Sequence, residues 1–307
     1  MKFFHCDRFT FPLPAGHRFP IRKFALLRER VEQARLVPPA HIIESEAATD
    51  DQILRAHTRE YLEKLKKGAL TEKEQRRLGF PWSSELLERS RRSVGGTIAA
   101  CRAALKEGVA MNLAGGTHHA YADHGEGFCV FNDVAIAARV MQAAGRAGRI
   151  AVLDCDVHQG NGTASIFERD EAVFTFSIHG ANNFPLHKEK SDLDLELPDG
   201  AGDHEYLDAV DYGVRRALSL SQPSLAIYLA GADPYEGDSL GRLRVTRGGL
   251  AARDRLVFDH CCHTGTPIAV VLLGGYAIRI EAGVDIQFET ARLAAEAARQ
   301  WRLPVSA

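Results

Sequence analysis

The residues best suited to chemistry stand in one short run, Asp154-Cys155-Asp156-Val157-His158, directly after the apolar stretch Ile150-Ala151-Val152-Leu153. If that stretch is a buried strand, its side chains alternate, so Asp154, Asp156 and His158 emerge on one side and Cys155 and Val157 on the other. Three polar groups beside a hydrophobic core are costly unless something pairs with them. A divalent metal with nitrogen and oxygen ligands would do so.

The elements that must position this run are legible as alternating patterns. Apolar runs at 110–113, 150–153, 173–178, 225–230 and 268–273 lack polar alternation, as strands covered on both faces do. Segments 2–4 and 42–44 are candidate further strands. Helical spacing runs through 83–105, 134–144, 206–220, 247–263 and 281–298. Strands alternating with helices predict an α/β fold, a three-layer αβα sandwich around a mostly parallel sheet. Residues 180–202, with the acidic run Ser191-Asp192-Leu193-Asp194, read as a long loop, a kind of segment that often carries function. With no internal repeat and no low-complexity linker, one domain is expected over 1–307.

In such a sheet, ligands bind outside the carboxyl ends of the strands, and each of these ends is polar. They carry Gly115-Gly116-Thr117-His118-His119, then Asp154 to His158 with Gln159-Gly160-Asn161, then Ser177, Asp233 and Gly274-Gly275-Tyr276. The most economical metal set is Asp156, His158 and Asp233, which leaves a coordination position open, as in a catalytic zinc site. The adjacent His118 and His119 suggest acid–base work, each needing an orienting partner on its remote nitrogen. Asp154 suits one of them and Asn161 the other. Tyr276 can donate its hydroxyl to a developing oxyanion. Phe128 and Phe184 are candidate walls of an apolar channel.

Composition narrows the class. The chain is 45% hydrophobic and 25% charged, and its net charge of −2 implies no bulk attraction to nucleic acid. Six cysteines without a C-x-x-C pair read as reduced thiols. The amino terminus lacks signal-peptide character, and no run reaches the roughly 18 apolar residues of a membrane span. A soluble, cytoplasmic protein is expected.

Five segments together resemble the histone deacetylase family. They are Gly115-Gly116-Thr117-His118-His119-Ala120, Gly127-Phe128-Cys129-Val130-Phe131-Asn132-Asp133, Asp154 through Gly162, Gly231-Ala232-Asp233-Pro234 with Glu236-Gly237-Asp238, and Gly274-Gly275-Tyr276. The resemblance implies the arginase–deacetylase fold, with zinc at Asp156, His158 and Asp233. It implies a general acid/base pair of His118 backed by Asp154 and His119 backed by Asn161, with Tyr276 polarising the acyl carbonyl. It also implies a substrate tunnel involving Gly127, Phe128, Phe184 and Leu240, and a structural potassium ion near Asp154, Asp156, His158 and Ser177. The segment His17-Arg18-Phe19-Pro20 with Lys23, and Asn161 where many class I members carry Asp, resemble compact bacterial and class IV-like members. The implied substrate is an acyl-lysine bearing an acetyl or longer acyl group, with acetylpolyamines or other small amides as the alternative. A binuclear manganese ureohydrolase of the same fold needs a further carboxylate two residues beyond His158, where this chain has Gly160.

Overall fold

The computed structural model describes residues 1–301. Its strands are β1 (Phe3–His5), β2 (Ile42–Glu44), β3 (Val109–Asn112), β4 (Ile150–Asp154), β5 (Val173–Gly180), β6 (Leu193–Leu197), β7 (Leu225–Gly231) and β8 (Ile268–Leu273). All pair in parallel, in the order β2-β1-β3-β8-β7-β4-β5-β6. The helices are α1 (Lys23–Gln33), α2 (Asp50–Ile53), α3 (Arg59–Lys66), α4 (Glu72–Leu78), α5 (Ser84–Glu107), α6 (Asp133–Ala143), α7 (Asn161–Phe167), α8 (Asp203–Ser221), α9 (Arg247–Thr264) and α10 (Ile280–Gln300).

Strand alternation divides the interior into two cores. Ala226, Tyr228 and Ala230 of β7 point into one with α1, α8, α9 and α10. Leu225, Ile227 and Leu229 point into the other with α3, α5 and α6. Burial on both faces is why these strands read as unbroken apolar runs, and the three-layer α/β expectation holds. No helix among the described residues is long and apolar enough to cross a membrane.

One expectation is corrected. The stretch 180–202 is not a loop throughout, because β6 runs inside it and pairs with β5 from Phe176↔Leu193 to Gly180↔Leu197. Leu193, Leu195 and Leu197 alternate with Asp194 and Glu196, the period of a half-buried edge strand. The acidic residues masked that period, and they blunt the free edge of the sheet. Helix starts also move outward. α8 begins at Asp203, because its first turn is acidic (Asp203, Glu205) and carries little apolar signal while suiting the helix dipole. Helices α1 to α4 and α7 go beyond the periodic segments; α2, α3 and α4 bury only one to three residues each.

The strand order matters for function. β7 and β8 return from beyond β6 to insert between β3 and β4, so the carboxyl ends of these four strands stand side by side at the sheet centre. Central and edge strands should differ in cost of truncation. Ile227→Ala in β7 is expected to lose about 2–5 kcal/mol of unfolding free energy, and Leu195→Ala in the edge strand clearly less. Urea unfolding of both variants measures the difference.

Candidate active site

β4 ends at Asp154 and the chain then bends through 156–158. Alternation outlasts the strand: Cys155 and Val157 bury completely in the core, while Asp156 and His158 face the opposite side. Asp156 Oδ1 accepts the His158 backbone N–H at 2.9 Å and lies 2.9 Å from His158 Nδ1. Asp233, just past β7, brings Oδ2 to 3.4 Å from the same Nδ1, and its Oδ1 accepts the Val157 N–H at 3.0 Å. One donor atom from each of Asp156, His158 and Asp233 lies within 4.8 Å of the others.

The electrostatics of this trio call for a cation. Burial, then the charge of Asp233, pushes Asp156 up to about 7. Burial alone would lower His158, but the carboxylates of Asp156 and Asp233 beside it outweigh that and raise it to about 10. Asp233 Oδ2 is buried without a hydrogen-bond partner among the described residues. The trio by itself leans on a proton at His158. A divalent ion takes over that charge and leaves a neutral imidazole to ligate. Two carboxylates and one imidazole fit zinc.

His118 and His119 follow β3 on a loop pinned by buried Asp133. Its carboxylate accepts the N–H groups of Gly116 (3.1 Å) and Thr117 (2.7 Å) and the hydroxyls of Thr117 (2.6 Å) and Thr97 (2.5 Å). Gly116 has φ +67°, and a Cβ there would sit 2.6 Å from Leu273 Cβ, so the loop lies directly on β8. The two imidazoles are 4.1 Å apart between centroids. His118 Nδ1 is 2.7 Å from Asp154 Oδ2, and His119 Nδ1 is 2.6 Å from Asn161 Oδ1. Asn161 Nδ2 donates to the Tyr121 hydroxyl (3.1 Å), which donates to Glu189 (3.1 Å). With its amide N–H committed to Tyr121, Asn161 turns its oxygen to His119, so Nδ1 carries the proton and Nε2 is the free acceptor.

The partners separate the pair. Burial would lower His118, but the charge of Asp154 outweighs it and raises the group. His119 is held well below its ordinary value by burial and then by the neighbouring His118 and His158. Two imidazoles in contact thus favour opposite protonation states, the arrangement of an acid and a base.

Both rings open on a cavity of about 700 Å³. Ten of the residues singled out in the sequence line it: His118, His119, Gly127, Phe128, Asp156, His158, Phe184, Asp233, Leu240 and Tyr276. Asp154 and Asn161 stand behind the histidines. Phe184 lies edge-on to His119 at 5.0 Å, and Phe128 is 5.9 Å from Tyr276. A Cβ on Gly127 would come 2.7 Å from His119 Cδ2, so only glycine fits there. Tyr276 is kept neutral, its phenol pushed well above the usual range chiefly by burial.

Several supports were not legible as such. Asp238 accepts the backbone N–H groups of Tyr276 (2.7 Å), Leu240 (2.8 Å) and Gly241 (3.1 Å), tying together two lining segments. Lys23, lowered by burial to about 8, donates to the Gly274 carbonyl with its Nζ 5.4 Å from the Tyr276 ring. Asp133, Asp238 and Lys23 stand within segments carrying the resemblance, which is a signal of place but not of role. Tyr121 gave no signal.

A parallel sheet with a carboxylate- and histidine-lined cavity at its carboxyl edge is the arginase–deacetylase arrangement of a hydrolase. The family model described as "Histone deacetylase domain" matches residues 17–288. The chain is 44% identical over 277 residues to an uncharacterized protein of Picosynechococcus, covering 90% of this chain and 92% of that one. It is 31% identical over 284 residues to a histone deacetylase-like amidohydrolase of Pseudomonas aeruginosa, covering 87% and 74%. It is 32% identical over 244 residues to histone deacetylase 2 of Arabidopsis thaliana, covering 76% and 63%. In fold it resembles the crystal structures of an HDAC homolog complexed with SAHA (TM-score 0.83, 23% identity, covering 97% and 84%) and of an HDAC homolog from Aquifex aeolicus (0.82, 22%, 97% and 84%). The chain belongs to the histone deacetylase family.

Removing the Asp133 carboxylate strands the Gly116 and Thr117 backbone N–H groups, while the two hydroxyls keep the Phe131 and Ser93 carbonyls as acceptors. Asp133→Ala is therefore expected to lower unfolding free energy by about 3 kcal/mol or more, measured by denaturant titration; a loss under about 1 kcal/mol would show that the loop does not depend on it.

Proposed function

We propose that this protein is a zinc-dependent deacylase that hydrolyses the side-chain amide of an acyl-lysine. The observation that carries the reading is the Asp156–His158–Asp233 trio, with one orphaned carboxylate oxygen, beside two differently backed imidazoles in one cavity. Asp156, His158 and Asp233 would hold the zinc. When bound, zinc supplies Lewis acidity toward the amide carbonyl and acidifies water.

The remaining work falls to the chain. Neutral His119, its Nδ1 proton fixed on Asn161, accepts a proton from the attacking water at Nε2. His118, kept charge-tolerant by Asp154, donates a proton to the leaving amine nitrogen. Tyr276 donates its hydroxyl hydrogen bond to the oxygen on which negative charge develops. Phe128 and Phe184 form an apolar passage suited to the methylenes of a lysine side chain, with Leu240 and Gly127 beside it. Phe11, Phe19, Phe24 and Leu86 also line the cavity, apolar space that suits an acyl group longer than acetyl. A potassium ion belongs to the same reading, since Asp154 and Ser177 are register partners across β4 and β5 with oxygen donors side by side.

The mouth favours a lysine side chain over an acetylpolyamine. Arg76, Arg77 and Arg242 stand there, and Glu126 is the acidic side chain among the described residues lining it. A polycationic amine gains nothing from Arg77, or from Arg76 and Arg242, which are already paired with Glu72 and Asp199.

The test is a panel of acyl-lysine peptides of graded chain length, acetylpolyamines and small amides, assayed with zinc-loaded protein. Cleavage of acyl-lysine peptides, lost on chelation and restored by zinc, is expected. Activity indifferent to chelation, or no amide cleaved at all, overturns the reading. Tyr276→Phe should lower kcat by about 10²–10³-fold with zinc content unchanged. Asp156→Ala should abolish stoichiometric zinc binding, measured by metal analysis of the purified variant.

A further inference from the structure

Arg253 of α9 is the largest side chain that the core encloses completely, at 0% exposure. A guanidinium cannot shed its proton, so a permanent charge lies inside the protein and must be compensated there. Asp254, next in the chain and itself 1% exposed, compensates it. Its Oδ1 accepts from Arg253 Nε at 2.9 Å and lies 2.8 Å from Nη2. Asp254 is held in turn by the hydroxyls of Tyr228 (2.5 Å) and Thr290 (2.6 Å). Tyr228 of β7 thus already ties the pair to the sheet, Nη2 faces Asp254 without a hydrogen bond among the described residues, and Nη1 remains to act on the strand ends.

That nitrogen, Nη1, donates to the Gly231 carbonyl and reaches the Cys155 carbonyl at 3.4 Å, where the Tyr206 hydroxyl also donates at 3.3 Å. Cys155 immediately precedes Asp156, and Gly231 stands two residues before Asp233. The two segments touch: a Cβ on Gly231 would come 2.5 Å from Asp156 Cα. Two carboxylates on abutting backbones repel each other, and that repulsion acts just beyond the last bonds of the β4–β7 ladder, where the Val157 N–H to Asp233 also joins the segments.

We propose that Arg253, neutralised by Asp254, is a positioning residue that clamps the β4 and β7 segments and so sets the spacing of Asp156 and Asp233 for zinc. The inference rests on the assignment of those residues as zinc ligands. A guanidinium is suited to the task because its fork directs several N–H groups in fixed, divergent directions, which a lysine ammonium does not. The rival role is simple anchoring of α9 to the sheet, which predicts lost stability and unchanged metal affinity.

The experiment is a zinc competition titration against a chromophoric chelator. It compares the wild-type protein, Arg253→Lys, and the double variant Arg253→Met/Asp254→Leu, which removes both charges and leaves neither buried alone. Expected is a zinc Kd raised by about 10–100-fold in both variants, with circular dichroism of the metal-free proteins unchanged. If the double variant does not fold, Arg253→Lys, which keeps charge and approximate size, decides on the same readout. Variants that bind zinc as tightly as a zinc-binding wild-type overturn this inference alone. A wild-type protein that takes up no zinc overturns the ligand assignment, and this inference with it.

Discussion

Two buried acidic side chains forced together in the lining of one cavity are the constraint around which this molecule is organised. Asp156 and Asp233 come from strands far apart in the chain and adjacent in the sheet, and each is almost fully buried. Left alone, such a pair takes up a proton or pushes apart. Its surroundings oppose both outcomes: Val157 donates a backbone N–H to one carboxylate, and His158 sits between the two. The zinc proposed for this trio would neutralise the charge gathered there.

The sheet order is the means by which such closeness is reached. Because β7 lies between β4 and β8, the backbones that carry the two carboxylates abut, and glycine at 231 lets them. Because β8 lies between β7 and β3, the glycine-rich turn before Tyr276 meets the loop bearing the paired histidines. Six residues of the candidate site are thus brought from four neighbouring strand ends, the paired histidines on the long loop 113–132 between β3 and α6. The cost appears as buried polar networks around Asp133, Asp238 and Asp254, each satisfying several donors at once.

How much of this was legible in the sequence follows from what a linear pattern can carry. Doubly covered strands advertise themselves as apolar runs, so the sheet and its functional edge could be read directly, together with the polar residues that end each strand. β6 is hidden because a half-buried edge strand alternates, and the acidic run Ser191-Asp192-Leu193-Asp194 reads as part of a long loop. Short helices such as α3 bury too few residues to show a period. The supporting network was illegible for a different reason. Tyr121 meets Glu189, Asp133 meets Gly116, and Arg253 meets Cys155 across separations that no spacing rule encodes. Residue types there signal only that something polar is buried, and topology decides what it touches.

The chain of bonds from His119 through Asn161 and Tyr121 to Glu189 runs from the buried cavity to a partly exposed carboxylate, and it looks like a wire. It is an insulator. A carboxamide neither accepts nor releases a proton at ordinary pH, so Asn161 can hold the imidazole in register without conducting anything past itself. Had an aspartate stood at that position, the same path would have offered a charged relay toward solvent. As built, the Nε2 face of His119, which opens on the cavity, is where the proposed proton exchange would have both its entrance and its exit.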